Sequence, residues 1–483
     1  MPVPVLSITQ MREWERATWA TGKTEQEVIR RVGQLVAKRA LALTEPGDSI
    51  LILAGKGHNG DDARCAREHL TGRQVDLIEV TDPQRPETIE AVSKNLRRRP
   101  ALLIDGLFGI GLNRPLDPHW QEVINRINEA GVRVLAVDVP SGLNADTGEP
   151  HGAAIHAAIT LTLGAPKRGL IEPAAWQFVG RLEVAPEIGL VQCPFTAQLY
   201  WTLAEDFVGF PPRRAAGTHK GTYGHLAIIA GSLGYHGAAV LAARGAQRAQ
   251  PGLITVYTHE MVYHAIAAQL QSAMVRVLPF DLKQLDNYTA VLIGPGLAAP
   301  EVASELAPLA RRLWRDAPVP VIVDATALDW LRTEAIAGNG VRVVTPHPGE
   351  AARMLKTVPQ KILANRVEAL QRISEQYGRC WVVLKGYQTL VGKFDTPLYI
   401  NSSGNPHLAQ GGSGDLLAGY LAGLLAQPAL REDVLKTIRY AVWQHGAAAD
   451  LLELHRPNWI IEELAETLGS VPAPKPERNG TLS

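Results

Sequence analysis

The sequence predicts two domains of the α/β class, each with a mostly parallel β-sheet covered by helices. The first observation is the length of 483 residues, which suits two or three domains. The second is that short apolar runs alternate with helical patterns, which is typical of parallel sheets. The third is the stretch 203–216, which has no periodicity and interrupts this alternation. We place a linker in that stretch and a domain boundary near residue 210.

The elements of the first half follow from capping residues and apolar runs. Ser7 and Thr24 each stand three residues before a Gln or a Glu, which is the capping-box spacing, so each predicts the start of a helix. From residue 49 onwards, continuous apolar runs predict buried strands and periodic stretches predict helices. The predicted strands are residues 49–54, 75–80, 101–104 and 132–139, and the predicted helices are residues 61–70, 88–99 and 119–130.

The second half repeats the alternation after the linker. The predicted strands are residues 225–230, 253–258, 290–293, 319–323, 341–345 and 380–384. The predicted helices include residues 235–250, 414–425 and 430–452. Residues 471–483 are rich in proline and polar residues, which predicts a disordered tail.

Composition and charge exclude several classes of protein. The chain has 48 basic and 48 acidic residues, and this zero net charge argues against a general nucleic-acid binder or a polybasic membrane-surface protein. The three cysteines are far apart and form no CxxC pair, which argues against a zinc ribbon or a disulfide framework and favours a reducing compartment. The N-terminus lacks a signal-peptide pattern, and no uncharged stretch is long enough to cross a bilayer. We therefore expect a cytoplasmic protein with neither nucleic-acid nor membrane partners.

Three glycine-rich or polar turns in the first half each follow a predicted strand. They are GKGHNGDD at residues 55–62, DGLFGIGLNR at 105–114 and DVPSGL at 138–143. Open parallel sheets bind ligands at the carboxyl ends of their strands, where glycines and a helix N-terminus let backbone N–H groups face an anion. Three unrelated turns are the alternative, but their coincidence favours a single ligand-binding edge.

These motifs, in this order and spacing, resemble those of the NAD(P)H-hydrate epimerase domain, a Rossmann-like fold, over residues 1–205. The resemblance implies that Asn59, Asp105 and Ser141 hold a potassium ion, and oxygen ligands suit such a hard cation. It also implies that Asp138 moves a proton during epimerisation. The implied contacts to the hydrated nicotinamide nucleotide are His58, Asn59, Gly60, Asp61, Asp62, Gly109, Ile110, Gly111, Leu112, Asn113, Arg114, Pro115 and Asp138.

The first motif departs from the pattern of that family. The family reads Asn-Asn-Gly-Gly-Asp-Gly where this chain reads His-Asn-Gly-Asp-Asp-Ala at residues 58–63. His58 replaces an amide, and Asp61 replaces a glycine. We expect the added charge and Cβ of Asp61 to hinder the approach of a phosphate group.

The strongest local signal in the chain is GGSGD at residues 411–415, which runs into an apolar helical pattern. The amides of such a loop can surround a phosphate group, and the helix dipole adds to the attraction. Asp415 falls in the first turn of that helix, where an ionised carboxylate can take a proton from a hydroxyl group during phosphoryl transfer. An acidic residue that merely stabilises a helix N-terminus is the alternative.

The GGSGD loop resembles the anion hole and catalytic aspartate of the ribokinase superfamily. The motifs HKGTYG at 219–224, GSLGYHGA at 231–238, GPGL at 294–297, TPHPGE at 345–350 and LKG at 384–386 resemble one branch, the ADP-dependent NAD(P)H-hydrate dehydratases, over residues 213–470. The resemblance implies ADP as co-substrate, Mg²⁺ as metal and Asp415 as the base. Ala238, Gly296, His347 and Asp415 would contact the hydrate, and Lys385, Gly386, Tyr387, Gln388, Thr389 and Gly414 would bind the nucleotide.

Together the two resemblances imply a bifunctional repair enzyme for NADHX and NADPHX, the hydrated forms of NADH and NADPH, and we expect a homo-oligomer. One alternative is a ribokinase-like kinase that phosphorylates a small alcohol. A second is an N-terminal domain that only binds or scaffolds, which the altered motif at residues 58–63 favours. His347 alone could also simply cap the helix that follows it. Thr326 stands where the dehydratases often have a second aspartate after Asp324.

Overall fold

The structure is a computed structural model that describes residues 2–280, 282–337 and 340–473. Internal contacts divide the chain into two compact units, one from Val3 to Ala197 and one that begins at Gln198. Both units contain a sheet of mainly parallel strands with helices, which confirms the predicted fold class. Within the described ranges, no helix is both long and apolar enough to cross a membrane.

Between residues 49 and 139 the N-terminal unit alternates strands and helices in the predicted order, and further elements that were not predicted lie outside that range. Its helices are α1 (Ile8–Trp19), α2 (Glu25–Leu41), α3 (His58–Ala66), α4 (Pro86–Arg97), α5 (Pro118–Glu129) and α6 (Trp176–Val179). Its strands are β1 (Val3–Pro4), β2 (Ser49–Ala54), β3 (Gln74–Glu79), β4 (Leu102–Gly106), β5 (Val134–Val137), β6 (Ile159–Leu163) and β7 (Arg181–Ala185). Both predicted capping boxes are present, at Ser7 for α1 and at Thr24 for α2.

Six of these strands form one parallel sheet in the order β3-β2-β4-β5-β6-β7. Alternate residues of β2 point to opposite faces, so Ile50 and Ile52 pack with α2 and α3. Leu51 and Leu53 pack on the other face with α4 and α5. The chain moves outward from β2 in one direction to β3 and then in the other to β4. The β2/β4 boundary is therefore the switch point where such sheets bind ligands.

The C-terminal unit is also an α/β structure. Its helices are α7 (His236–Ala249), α8 (Glu260–Ala267), α9 (Pro300–Asp316), α10 (Pro348–Met354), α11 (Pro359–Ala364), α12 (Arg366–Gln376), α13 (Ser413–Leu425), α14 (Val434–His455) and α15 (Ile461–Thr467). Its strands are β8 (Leu199–Trp201), β9 (His225–Ile229), β10 (Leu253–Thr258), β11 (Met274–Val277), β12 (Ala290–Ile293), β13 (Val321–Val323), β14 (Arg342–Val344), β15 (Trp381–Leu384), β16 (Leu390–Gly392) and β17 (Leu398–Ile400).

These ten strands form a sheet in the order β8-β17-β16-β15-β14-β13-β12-β9-β10-β11. The strands from β11 to β15 are parallel, and β16 is antiparallel to both of its neighbours. Strand order reverses between β9 and β12, which makes this boundary the switch point of the second sheet.

Helices α7 and α13 pack with their backbones in contact. A Cβ on Gly419 would lie 1.9 Å from the carbonyl oxygen of Ala242, and one on Gly245 would lie 2.2 Å from that of Leu416. Only glycine fits at such distances. This close packing fixes the axis of α13 and therefore the position of its N-terminal turn, which carries Asp415.

The predicted linker at 203–216 is wrong in its first part, because those residues belong to the C-terminal unit. Phe207 is fully buried in the core of that unit, and Asp206 forms a buried ion pair with Arg439 of α14. The predicted tail also begins too early, because Val471 and Ala473 pack against the same core. The rest of that tail, residues 474–483, lies outside the described residues.

Candidate active sites

The three N-terminal motifs lie at the carboxyl ends of β2, β4 and β5, which are neighbouring strands. Asn59 lies in the first turn of α3, directly after β2. Asp105 lies at the end of β4, and Asp138 directly follows β5. The structure therefore brings together at one sheet edge the turns that the sequence separates by more than 30 residues.

A chain of hydrogen bonds connects Asn59, Asp105 and Ser141. Ser141 donates to Asp105 twice, from its backbone N–H at 2.8 Å and from its hydroxyl at 2.6 Å. The backbone N–H of Phe108 donates to the Ser141 hydroxyl at 2.8 Å, and the amide of Asn59 donates to the carbonyl of Phe108 at 3.0 Å. Burial raises the pKa of Asp105 to about 6, although the hydrogen bonds from Ser141 oppose this shift. The result is a compact group of oxygen atoms around a buried carboxyl.

The glycine turn after β2 is too tight for side chains at two positions. A Cβ on Gly60 would lie 2.1 Å from the carbonyl oxygen of Gly55, and one on Gly55 would lie 2.0 Å from that of Leu107. A Cβ on Gly109 would lie 3.3 Å from the Asn59 side chain, so the second motif packs against the first. The rest of the 109–115 loop lies at the surface, with Arg114 exposed.

Two of the three residues that depart from the epimerase pattern, His58 and Asp61, have charged partners within the N-terminal unit. The Asp61 carboxylate lies 2.7 Å from Arg64, which also donates to the carbonyl of Gly55 at 2.6 Å. His58 Nε2 lies 3.4 Å from a carboxylate oxygen of Glu25 in α2. The negative charge of Asp61 is therefore balanced by Arg64, which offsets the repulsion of a phosphate group that the sequence predicts.

Asp138 is a buried carboxylate in an unusual backbone conformation, with a φ of 66°. Its Oδ1 pairs with the ammonium group of Lys167, which is itself fully buried. Thr162 and the backbone N–H of Leu163 donate to the same oxygen at 3.2 Å and 3.0 Å. Asp138 is thus held in place by three donors.

Two further acidic groups, Asp62 and Glu15, interact electrostatically with Asp138. Burial raises the pKa of Asp62 well above its usual value, and the negative charges of Asp138, Asp61 and Glu15 add to the shift. Burial also raises the pKa of Glu15, and Asp138 again adds to it. The N-terminal site therefore combines two carboxyl groups of raised pKa with a third, Asp138, that is paired with a lysine.

In the C-terminal unit, the predicted hydrate-binding turns meet at the β9/β12 switch point. The N–H of Gly231 donates to the carbonyl of Pro295 at 2.9 Å, and the Ser232 hydroxyl donates to that of Gly296 at 2.7 Å. A Cβ on Gly296 would lie 2.9 Å from the Cβ of Ala238. The structure thus places Ala238 against Gly296.

A cluster of charged side chains follows β13, β14 and β15. Lys385 Nζ lies 2.8 Å from Asp324 and 3.8 Å from Glu350, and it would lie 3.2 Å from a Cβ on Gly414. Burial lowers the pKa of Lys385, but the two carboxylates outweigh it and raise the value overall. Burial raises the pKa of Asp415 to about 7, Asp324 adds to this shift, and Lys385 opposes it.

His347 is the N-cap of α10. Its Nδ1 accepts a hydrogen bond from the N–H of Gly349 at 3.0 Å, and its own N–H donates to Glu350 at 2.7 Å. The capping role is therefore present. Because 53% of the His347 side chain is exposed, its ring also remains accessible from solvent.

The segment after β15 forms a turn around Gln388, which has a φ of 53° and is 9% exposed. Arg366 donates to the carbonyl of Gln388 at 2.7 Å, and Thr389 donates to that of Gly386 at 3.0 Å. The side-chain amide nitrogen of Gln388 is buried and has no hydrogen-bond partner among the described residues. Tyr387 is 42% exposed. The turn therefore presents an unpaired donor and an aromatic ring beside Lys385.

Each half of the chain matches a known protein family. A family model described as NAD(P)H-hydrate dehydratase matches residues 226–468, and one described as YjeF-related protein N-terminus matches residues 78–169. A bifunctional NAD(P)H-hydrate repair enzyme from Coxiella burnetii is 35% identical over 91% of this chain and 93% of its own length. The chain belongs to the family of bifunctional NAD(P)H-hydrate repair enzymes. The predicted resemblance to this family is confirmed.

Other members of the repair-enzyme family match over similar lengths. One from Gloeobacter violaceus is 34% identical, and the alignment covers 97% of each chain. Among solved structures, a ribokinase-like superfamily protein from Enterococcus faecalis is 23% identical, with a TM-score of 0.51 over 57% of this chain and 96% of its own. That likeness concerns the fold of the C-terminal unit.

Several residues of this repair enzyme that lie at the two sites do not stand out in the sequence. Lys167 follows β6, a strand that was not predicted. Glu350 lies within the TPHPGE motif but was not assigned a role. His445 lies on α14, where it is buried with its Nε2 3.4 Å from the Ser413 hydroxyl of the glycine loop, and burial lowers its pKa to about 4. Only Glu350 stood in a motif that could have singled it out.

Proposed function

We propose that this repair enzyme restores hydrated NADH and NADPH in two steps, one in each unit. The N-terminal domain, residues 1–205, interconverts the R and S epimers of the hydrate. The C-terminal domain, residues 213–470, dehydrates the S epimer at the expense of ADP and releases NAD(P)H, AMP and phosphate. Membership of the repair-enzyme family supports both activities.

The dehydratase proposal rests on the position of Asp415 in the first turn of α13, between the glycine loop and Lys385. Asp415 takes the proton of the C6 hydroxyl, whose oxygen attacks the terminal phosphoryl group of ADP, and AMP leaves. Phosphate then leaves C6, and C5 loses a proton to restore the double bond. Hydroxide is a poor leaving group and phosphate a good one, so the two-step route lowers the barrier. Positioning and charge stabilisation supply most of the rate gain.

The ligand contacts of the dehydratase follow the sheet edge. We assign the hydrate to Ala238, Gly296 and His347, together with the reacting group Asp415. The turn at 385–389 binds the nucleotide with the residues Lys385, Gly386, Tyr387, Gln388 and Thr389, and Gly414 contributes from the anion-binding loop. The ammonium group of Lys385 can donate to a phosphate oxygen, and the exposed ring of Tyr387 can stack on the adenine base of the nucleotide.

Magnesium fits this site as an ion carried by the nucleotide. The described residues contain no group of three or more His, Cys, Asp or Glu side chains arranged to hold a metal. Mg²⁺ usually binds one or two carboxylates together with substrate phosphates, and the pair Asp324 and Glu350 beside Lys385 meets that requirement. When bound, the ion would neutralise charge on the transferring phosphoryl group.

Epimerisation in the N-terminal domain requires a bond at the hydroxyl-bearing ring carbon to break and form again on the opposite face. The hydroxyl leaves as water after it gains a proton from solvent, and the ring nitrogen supplies the electron pair. Water then adds to the other face and gives a proton to a base, so no atom is gained or lost. We assign the proton-handling role to Asp138. The hydrate is bound by residues 58–62 and 109–115.

A potassium ion fits the group formed by Asn59, Asp105 and Ser141. These side chains supply oxygen atoms, the ligands of hard cations, and the buried Asp105 carboxyl has a raised pKa that a nearby cation would lower. The ion would hold the second and third motifs together and place positive charge at the sheet edge. The tight glycine turn at 55–60 leaves backbone N–H groups there for the nucleotide phosphates.

One assay tests both activities. The purified full-length protein is mixed with both epimers of hydrated NADH, and the recovery of reduced nicotinamide absorbance is followed with ADP or with ATP. We expect complete recovery with ADP. Recovery of one epimer only, beyond spontaneous interconversion, would leave the N-terminal domain as a binding module. No recovery with either nucleotide, but phosphorylation of a small alcohol, would favour a ribokinase-like kinase instead.

The cellular setting of the enzyme is part of the same proposal. Three unpaired cysteines suit a reducing cytoplasm, where NADH and NADPH are abundant as substrates for hydration. We expect a homo-oligomer, which light scattering after size exclusion would detect. A monomer at micromolar concentration would contradict that expectation.

A further inference from the structure

Lys167 is buried in the N-terminal unit with all three of its ammonium hydrogens engaged. Its Nζ donates to Asp138 Oδ1, to the Thr162 hydroxyl at 3.0 Å and to the carbonyl of Leu163 at 2.9 Å. Only 1% of the Lys167 side chain is exposed. Lysine is almost never fully buried unless it is paired, so this residue is held by its interaction with Asp138.

The hydrogen bonds of Asp138 are concentrated on one of its two carboxylate oxygens. Oδ1 accepts from Lys167, Thr162 and the backbone of Leu163. In the described ranges, no hydrogen bond reaches Oδ2. The side chain is 10% exposed and lies at the carboxyl end of the sheet, after β5. One oxygen is therefore fixed, and the other is left for a ligand at that edge.

The surroundings of Asp138 oppose its negative charge. Asp62 from α3 and Glu15 from α1 both interact with it as like charges, whereas Lys167 is the cation bonded to it directly. Lys167, His58 and Arg12 act in the opposite direction on Glu15 and lower its pKa. Without Lys167, ionisation of a buried carboxyl beside two other acids would become much less favourable.

We propose that Lys167 is a positioning residue of the epimerase, which keeps the Asp138 carboxylate ionised and directs Oδ2 toward the hydroxyl-bearing carbon. This inference rests on the proposed epimerase function. Lys167 does not touch the reacting atoms and acts only through Asp138. A structural role alone would make Lys167 necessary for folding but would not affect the pH dependence of catalysis.

The test measures the pH profile of epimerisation in wild type, Lys167→Met and Lys167→Gln, after subtraction of the uncatalysed rate. We expect the acidic limb of both variants to move to higher pH. At about pH 6 their rates should be about tenfold or more below wild type, and the difference should shrink toward about pH 9. Lys94→Met, which removes an exposed lysine from α4, is the matched control and should keep the wild-type profile.

Two outcomes would overturn the inference without affecting the proposed function. One is a uniform loss of rate in folded Lys167 variants, with the acidic limb unmoved. The other is a carboxylic acid band at about pH 6 in the infrared difference between wild type and Asp138→Asn, where we expect a carboxylate band. The infrared measurement does not need the Lys167 variants to fold. If the wild-type protein does not epimerise the hydrate, the proposed epimerase function is wrong, and the inference about Lys167 is wrong with it.

Discussion

Lys385 Nζ lies 2.8 Å from Asp324 Oδ1, and the Thr345 hydroxyl donates to the same oxygen at 2.6 Å. Asp324 is nearly fully buried, and Lys385 is the cation that forms an ion pair with it. A carboxylate oxygen of Glu350 lies 3.8 Å from the same ammonium group. Lys385 therefore contacts two carboxylates, and in the proposed nucleotide site its ammonium group would exchange one of them for a phosphate oxygen.

The first prediction concerns Lys385→Met. Removal of the ammonium group leaves Asp324 and Glu350 without their cation and removes the charged donor that we assign to the nucleotide. We expect the KM for ADP to rise about 10- to 100-fold, since a hydrogen bond to a charged group contributes about 1.5–3 kcal/mol. Steady-state kinetics with varied ADP measure this change.

Control variants separate nucleotide binding from stability. Lys385→Met should also lower the melting temperature, because it leaves a buried carboxylate unpaired. The double variant Asp324→Asn with Lys385→Met should regain much of that stability while its KM for ADP stays high. A KM that returns to the wild-type value in the double variant would contradict a direct role for Lys385.

The second prediction concerns Asp415 and pH. Because the pKa of Asp415 is raised to about 7 by burial and by Asp324, the base is largely protonated below that value. We expect kcat/KM for dehydration to fall tenfold for each pH unit below about 7, since this parameter reports the free enzyme. Asp415→Asn should lower kcat by about 100- to 10,000-fold and leave epimerisation unchanged. If kcat/KM of the wild-type enzyme does not fall below about pH 7, another group accepts the proton.

The positions of many strands and of the motifs along the chain were predictable from the sequence because both depend on local patterns. The runs at 49–54, 253–258 and 290–293 contain enough apolar residues to be identified as buried strands, and their observed limits agree with the prediction. Glycine-rich turns that follow such strands must lie at the carboxyl edge of a parallel sheet. The location of both candidate sites therefore followed from the strands alone.

Other features depend on contacts that are distant in the sequence. The strands β6 and β16 are short, and β6 alternates threonine with apolar residues, so only burial in the sheet distinguishes them from loops. The pairing of Lys167 with Asp138 requires β6 beside β5, which the sequence does not show. The linker prediction failed because Phe207 is surrounded by proline and charged residues, although it packs in the core.

The third prediction concerns potassium. Replacement of K⁺ by tetramethylammonium should lower the rate of epimerisation and leave dehydration unchanged, because the group around Asp105 belongs to the N-terminal unit. Ser141→Ala removes one oxygen and should raise the K⁺ concentration needed for half activity by about tenfold or more. The pKa of Asp105 is raised to about 6, so protons should compete with K⁺ below that pH. Equal epimerisation in both salts would exclude a functional potassium site.

The fourth prediction concerns the stability of the N-terminal unit in Asp62→Asn. Burial raises the pKa of Asp62 well above that of an unfolded chain, and Asp138 adds to the shift. As pH rises, the unfolded chain loses this proton first, so Asp62 lowers the free energy of unfolding progressively until the folded group also ionises. We expect Asp62→Asn to leave the melting temperature nearly unchanged at about pH 4 and to raise it at about pH 8. The exposed Asp76→Asn, which removes an ion pair with Arg98, is the control and should change stability by no more than about 0.5 kcal/mol at either pH. A loss of stability in Asp62→Asn at high pH would show that the Asp62 charge is compensated in the folded protein.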